Sequence, residues 1–249
     1  MNKNRMDPCK AAKLFCDKNF FTSEIVLLGG SVIRGEATDT SDLDIVIIDE
    51  SIHSAYRESL FAYDWPIEVF VHNKKTLIDF FKSDCERARP SLPRMVAEAV
   101  VIKDNGYSSR LKEQAEGLLN EGPPEWDSSM IRMKRYFLTD LLDDFIGSTN
   151  HGETIFIAGT LAESLHEFVL RTNRHWIGSS KWIIRALTAY NPVFAEKFIE
   201  SFSAFYQTGE KGQVISLVDS VLKPYGGRLF EGFSLGKHSV EVECSENER

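Results

Sequence analysis

Two aspartates one residue apart, Asp42 and Asp44, stand at the entrance to an apolar run, Leu43-Asp-Ile-Val-Ile-Ile, that reads as a β-strand. Side chains alternate along a strand, so both carboxylates point to one side with only a few ångströms between them. Like charges at that spacing repel. A hard cation such as Mg²⁺, which takes one or two carboxylates together with substrate phosphates, relieves the repulsion. Upstream, the apolar run Ile25-Val-Leu-Leu ends in Gly29-Gly30-Ser31. The glycines let the backbone approach closely, and Ser31 at a helix start offers hydroxyl and amide donors to a phosphate. A third acid, Glu68, interrupts Ile67-Glu-Val-Phe-Val, where a purely structural strand prefers another residue. Each feature alone has a plain reading as a turn or a solvated strand face. Their order is what carries the chemistry: strand, Gly-Ser turn, short helix, then Asp-x-Asp entering a second strand.

That order resembles the signature of the nucleotidyltransferase superfamily. The link Val32-Ile-Arg-Gly-Glu-Ala-Thr-Asp-Thr-Ser-Asp also resembles the Ser-x-x-Arg-Gly … Ser-Asp form of antibiotic (aminoglycoside- or lincosamide-type) nucleotidyltransferases. The likeness covers residues 25–72. It implies that Gly30, Ser31, Arg34 and Ser41 bind a nucleoside triphosphate, with ATP the expected one. It further implies that Asp42, Asp44 and Glu68 hold two Mg²⁺ ions, with Glu68 completing a metal site or deprotonating the acceptor. An acceptor hydroxyl would attack the α-phosphorus and pyrophosphate would leave, with catalysis supplied mostly by positioning and charge neutralisation.

The elements that must place these residues are of two kinds. Asp7 caps a first helix that has Pro8 at its first position. Strands follow at residues 25–28, 43–48, 67–71 and 99–102, with helices at 74–87 and 90–99. Beyond Tyr107 the strand signals fade. Gly122-Pro123-Pro124 is the clearest linker, and a helix at residues 109–120 suits either side of it. Helices are then expected at residues 130–146, 154–171, 179–190, 192–206 and 213–222, an array like a helical bundle. The tail after Gly226 is irregular, and residues 245–249 are expected to be disordered. The expected fold is α+β, a nucleotidyltransferase-like mixed sheet with flanking helices followed by an all-helical bundle domain. The catalytic domain would span residues 1–108 and the acceptor-binding domain 109–249.

Two features of the helical half bear on ligands. Asp140, Asp143 and Asp144 have no Lys or Arg three or four residues away, and Asp143 and Asp144 fall near a helix C-terminus, where the dipole disfavours anions. A bound cation, such as an amino group of the acceptor, would relieve them; a solvated acidic face, or salt bridges to another helix, is the plain alternative. In Trp176-Ile-Gly-Ser-Ser-Lys181-Trp182, a serine-capped helix start with Lys181 in its first turn would suit a triphosphate, with Arg171, Arg174 and Arg185 nearby in sequence. An ordinary helix cap is the alternative. Trp176, Trp182 and the six dispersed histidines read as structural or surface groups.

The formal charge of -8 argues against an extended nucleic-acid footprint. Cys9, Cys16, Cys85 and Cys244 are scattered and read as free thiols of a reducing compartment. No signal-peptide pattern or bilayer-length apolar run is present, so a cytoplasmic location away from membranes is expected. The acceptor expected under this reading is a small hydroxyl compound, cationic if it is an aminoglycoside, with antibiotic resistance as the role. Two other readings stay open. One is a protein adenylyltransferase of regulatory or antitoxin type; the other is a non-catalytic nucleotide-binding module, which would have no need of all three acids.

Overall fold

A computed structural model of the chain describes residues 5–237. Cys244 and the expected disordered tail at 245–249 lie outside the described residues. The chain divides into two compact units, one running to Glu125 with the addition of Arg174–Gly178, the other formed by Trp126–Asn173 and the chain from Ser179 onward. The fold is α+β, as the pattern of elements requires.

The first unit holds a five-stranded mixed sheet in the order β3-β4-β2-β1-β5. Its strands are β1 (Ile25–Gly29), β2 (Leu43–Ile48), β3 (Tyr56–Ala62), β4 (Trp65–His72) and β5 (Val100–Lys103). Strand β2 is parallel to β4 and antiparallel to β1. Both faces of the centre are covered, which is why β1 and β2 read as nearly continuous apolar runs. On one face Val26, Leu28, Ile45 and Val69 pack with Ala11 and Phe15 of α1 (Pro8–Asn19). Asp7 caps that helix by accepting the Lys10 N–H at 2.9 Å, with Pro8 at its first turn. On the other face Ile25, Leu27, Val46 and Ile48 meet residues of α3 (Lys74–Glu86), α4 (Ser91–Glu98) and α5 (Ser108–Glu121). Leu111 and Ala115 of α5 belong to this core, so that helix is part of the sheet unit. The division therefore falls between Glu125 and Trp126 rather than after residue 108. A four-residue helix, α2 (Gly30–Ile33), follows β1 directly.

Strand β3 is the element that sequence reasoning does not find. It lies at the sheet edge with most of its residues exposed, so it lacks the apolar alternation that marks a half-buried strand. Its hairpin to β4 turns on Tyr63 and Asp64, with φ of 53° and 63°. A two-residue turn of that kind usually announces itself with Asn-Gly or Asp-Gly, and here it does not.

The second unit contains α6 (Ser128–Gly147), α7 (His151–Thr172), α8 (Trp182–Tyr190), α9 (Pro192–Thr208) and α10 (Gly212–Leu222), with a 3-10 turn at Lys223–Tyr225. Asp127 and Asn191 cap α6 and α9 through side-chain oxygens. The chain from Gly226 is irregular over its described length, yet it is fastened: Leu229 is buried and its N–H donates to Thr139 Oγ1 at 3.0 Å. Among the described residues the cysteines are free thiols, and no helix is long and apolar enough to cross a membrane.

Candidate functional site

Strand register brings the three acids together. Asp44 and Glu68 are direct partners in the parallel β2–β4 pair, and Asp42 stands one residue before β2. One carboxylate oxygen from each of Asp42, Asp44 and Glu68 lies within 4.8 Å of the others, and all three residues are half-buried. The Asp44 carboxyl is pushed up to about 6, first by burial, then by the negative charges of Asp42 and Glu68; Arg34 and Arg57 pull the other way. Three acids crowded in partial burial form a poor site for protons to leave and a good one for a divalent cation.

The Gly-Ser turn closes this site from the β1 side. Gly30 has φ of +81°, and a Cβ placed on it would fall 2.0 Å from Asp44 Oδ2. Only glycine permits that backbone to lie against the carboxylate. Ser31 Oγ donates to Ser41 Oγ at 3.2 Å, and Ser41 Oγ accepts the Thr38 N–H at 2.8 Å. The two serines expected at the nucleotide are thus side by side at the mouth of the Asp42–Asp44 pair. Arg34 follows α2 and is engaged by Glu36 and Glu98, each at 3.1 Å, close enough to Asp44 to influence its proton.

On the far flank, two residues of β3 complete the setting. Arg57 makes an ion pair with Glu68, its guanidinium carbon 5.0 Å from the centre of the Phe70 ring, and Ser59 Oγ donates to Glu68 Oε1 at 3.3 Å. Ser59 and Arg57 stand directly opposite Glu68 and Phe70 in the antiparallel β3–β4 pair. Sequence reasoning missed both because it missed the strand. No apolar period marks Tyr56–Ala62; only once the strand is placed does its alternation put Arg57 and Ser59 on one side.

The candidate residues of the second unit are placed differently. Asp140, Asp143 and Asp144 are exposed on α6. Asp143 already has a cation: Arg228 reaches it at 3.3 Å and binds Asp219 as well. For this aspartate the alternative of a salt bridge from elsewhere in the fold holds in place of an external ammonium, with Arg228 as the partner. Lys181 is exposed and sits at the N-cap position of α8, which begins at Trp182 instead of Ser179 and has no side-chain cap. The serine-capped turn expected there is not formed; Ser180 adopts a φ of 52° and Ser179 contributes only its carbonyl to the turn. The nearby arginines also disperse: Arg171 is buried against Trp126, Arg185 covers Trp182, and Arg174 belongs to the first unit.

No family model and no curated protein matches this sequence. Among solved structures the chain is similar to a nucleotidyltransferase-like protein from Exiguobacterium sibiricum 255-15. The likeness spans 88% of this chain and 75% of that one, at 10% identity and a TM-score of 0.46. At that distance it says nothing of the reaction, and the functional reading rests on the site itself.

Proposed function

We propose that the chain is a nucleotidyltransferase, moving a nucleoside monophosphate from a Mg²⁺-bound nucleoside triphosphate, with ATP as the natural first candidate, to an acceptor hydroxyl. The observation that carries this reading is the convergence of Asp42, Asp44 and Glu68 within 4.8 Å, beside a glycine whose missing side chain makes room for Asp44. Their oxygens fit a hard divalent ion in donor type and spacing. When bound, Mg²⁺, as one ion or two, neutralises the phosphate charge and links triphosphate to carboxylates.

The chain's own residues supply the rest. Asp44 in β2 and Asp42 one residue before it anchor the site from one short stretch of backbone, which fixes their separation. Gly30, Ser31 and Ser41 offer hydroxyls and close backbone approach for the non-transferred phosphates, and Arg34 adds a positive charge beside them. The acceptor oxygen forms its bond to the α-phosphorus while the bond from that phosphorus to the bridging oxygen breaks. Pyrophosphate leaves with the electron pair, and the acceptor proton passes to Glu68. Arg57 and Ser59 hold the Glu68 carboxylate in place for that step.

The test incubates the chain with each of the four α-labelled ribonucleoside triphosphates, Mg²⁺ and a panel of amino sugars, simple alcohols and protein acceptors. A labelled product with matching pyrophosphate, absent in Asp44→Asn, is expected. Equal pyrophosphate release by the wild type and Asp44→Asn would overturn the reading.

A further inference from the structure

A cavity of ≈ 410 Å³ opens in the first unit on the face of the sheet that carries Asp44 and Glu68. Glu68, Phe70 and His72 alternate to one side of β4, and the latter two line the cavity. Its other walls are Tyr56, Phe80, Leu92 and Met95. Arg57 belongs to both places, pairing with Glu68 and lining the cavity over Phe70. The cavity therefore begins where the carboxylate cluster ends.

Its position across the sheet has a mechanistic meaning. The cavity's sheet wall is β4 and β3, on one side of β2, and the Gly30-Ser31 turn follows β1 on the other; the facing wall is α4, whose Met95 packs against Gly29. In phosphoryl transfer the entering and leaving oxygens stand roughly in line on opposite sides of the phosphorus. With the leaving phosphates by Gly30, Ser31 and Ser41, the acceptor enters from the side of Glu68, where the cavity is.

Its lining defines what fits. The walls are aromatic and apolar, and every charge on them is already matched. Arg57 is paired with Glu68; Arg87 is paired with the buried Asp84, which also accepts the Leu92 N–H at 2.8 Å. No carboxylate remains there for an ammonium group. The uncharged polar groups on its walls are the exposed Tyr56 and Ser91 hydroxyls and, buried at its base, His72. His72 is 3% exposed, its ring meets Phe80 edge-on at 5.0 Å, and Nδ1 lies 3.5 Å from Thr76 Oγ1. Among the described residues Nε2 has no partner. Burial pushes the imidazole down to about 4, so it is neutral in ordinary buffers.

We propose that this cavity is the acceptor subsite, and that the acceptor carries a flat aromatic ring, seated against Phe70 and Phe80, with a hydroxyl about 7 Å away, two strand residues along, at Glu68. A polar substituent on the far edge of the ring meets His72 Nε2. This rests on the transfer reading above and replaces the cationic sugar with a neutral aromatic alcohol.

The test uses 2-phenylethanol as a probe of the ring pocket alone, its hydroxyl stopping short of Glu68, with 2-cyclohexylethanol and glucosamine as comparisons, on the full chain with its His72 ring signals assigned by NMR. Saturable shifts of His72 with 2-phenylethanol are expected, weaker with 2-cyclohexylethanol and absent with glucosamine. Ala55→Trp, which fills the cavity from its rim, should weaken that binding about tenfold or more, the value of one buried ring. Should Ala55→Trp fail to fold, Phe80→Ala at a half-exposed position should weaken binding in the same direction. Mg²⁺–ATP binding is measured on the same samples. Unmoved His72 signals, or shifts that persist in both variants, or a response to glucosamine alone, would overturn the cavity assignment while Mg²⁺–ATP binding leaves the transfer reading standing. Response to 2-phenylethanol without any Mg²⁺–ATP binding would overturn the acceptor role through failure of the transfer reading itself.

Discussion

The chain has two sets of three acids that look alike as residues and differ in what the backbone does with them. Asp44 and Glu68 stand on adjacent strands in fixed register with Asp42 one residue before β2, all half-buried, with their oxygens within 4.8 Å. Asp140, Asp143 and Asp144 stand on a single helix, all exposed, and one of them is already neutralised by Arg228. A parallel strand pair forces distant segments to present their side chains at a common point, and partial burial prevents water from screening them. A helix spreads its acids over a solvated surface, where water and a stray arginine are enough. Electrostatic discomfort becomes a ligand site only where the fold removes the cheaper remedies.

The largest expected difference between the two sets is in catalysis. Asp42→Asn or Asp44→Asn should lower nucleotidyl transfer about a hundredfold or more, the scale on which a single transition-state contact acts. Asp140→Asn combined with Asp144→Asn should leave Mg²⁺–triphosphate affinity within about twofold, as expected of solvated surface groups. Pyrophosphate release for the first pair and calorimetry for the second would check this. Loss of triphosphate binding in the helical double variant would break the comparison.

Gly30→Ala sharpens it from the backbone side. The new methyl must displace Asp44 and also occupy a positive φ, so about 1–3 kcal/mol of stability and the metal-dependent binding should be lost together. Gly35 has a φ of +72° with no atom within 4 Å of its would-be Cβ. Gly35→Ala should therefore show only the backbone cost in denaturant titration and keep its ligand binding.

A smaller effect separates the sets by pH. Folded Asp44 keeps its proton up to about 6, whereas the unfolded chain releases it near 3.8. The folded state binds more protons in that window, so this group's contribution to stability falls as pH rises through it. In metal-free buffer Asp44→Asn should match the wild type near pH 4 and melt a few degrees higher above about pH 7. His72 acts in the opposite sense: its folded value near 4 lies below the usual 6.5, so its contribution rises with pH across that interval. An Asp44→Asn advantage that does not change with pH would remove the crowding argument.

The smallest effect belongs to the helical set. Arg228→Ala leaves Asp143 and Asp219 without their partner, and because the pairs are well exposed the cost should be about 1 kcal/mol or less in thermal melting. A larger loss would show that this cluster is a structural device in its own right.

Much of the candidate site was legible because its information is local. Asp-x-Asp at a strand entrance, a Gly-Ser turn after an apolar run and an acid inside a later strand are each patterns confined to a few residues. The first helix with its Asp7 cap and the run of helices after Ser128 are legible for the same reason. What was not legible depends on pairing across the chain. Strand β3 is an edge element stabilised by β4, so neither Arg57 nor Ser59 declared itself. Arg228 finds Asp143 from 85 residues away. Lys181 looked like a first-turn cation because two serines before it suggested a cap, but the tight turn at Ser180 delays the helix to Trp182. The cavity beside Glu68 is assembled from four separate elements, and no local pattern contains it.

The most direct measurement is a calorimetric titration of the chain with a non-hydrolysable ATP analogue, made with Mg²⁺, with a chelator, and with Mg²⁺ in Asp42→Asn and Asp44→Asn. A metal-bridged site predicts binding with Mg²⁺ that weakens about tenfold or more, the loss of one charge-assisted contact, in each of the other three titrations. Equal affinity with the chelator, or in both variants, would contradict the claim that these carboxylates hold a metal-bound triphosphate.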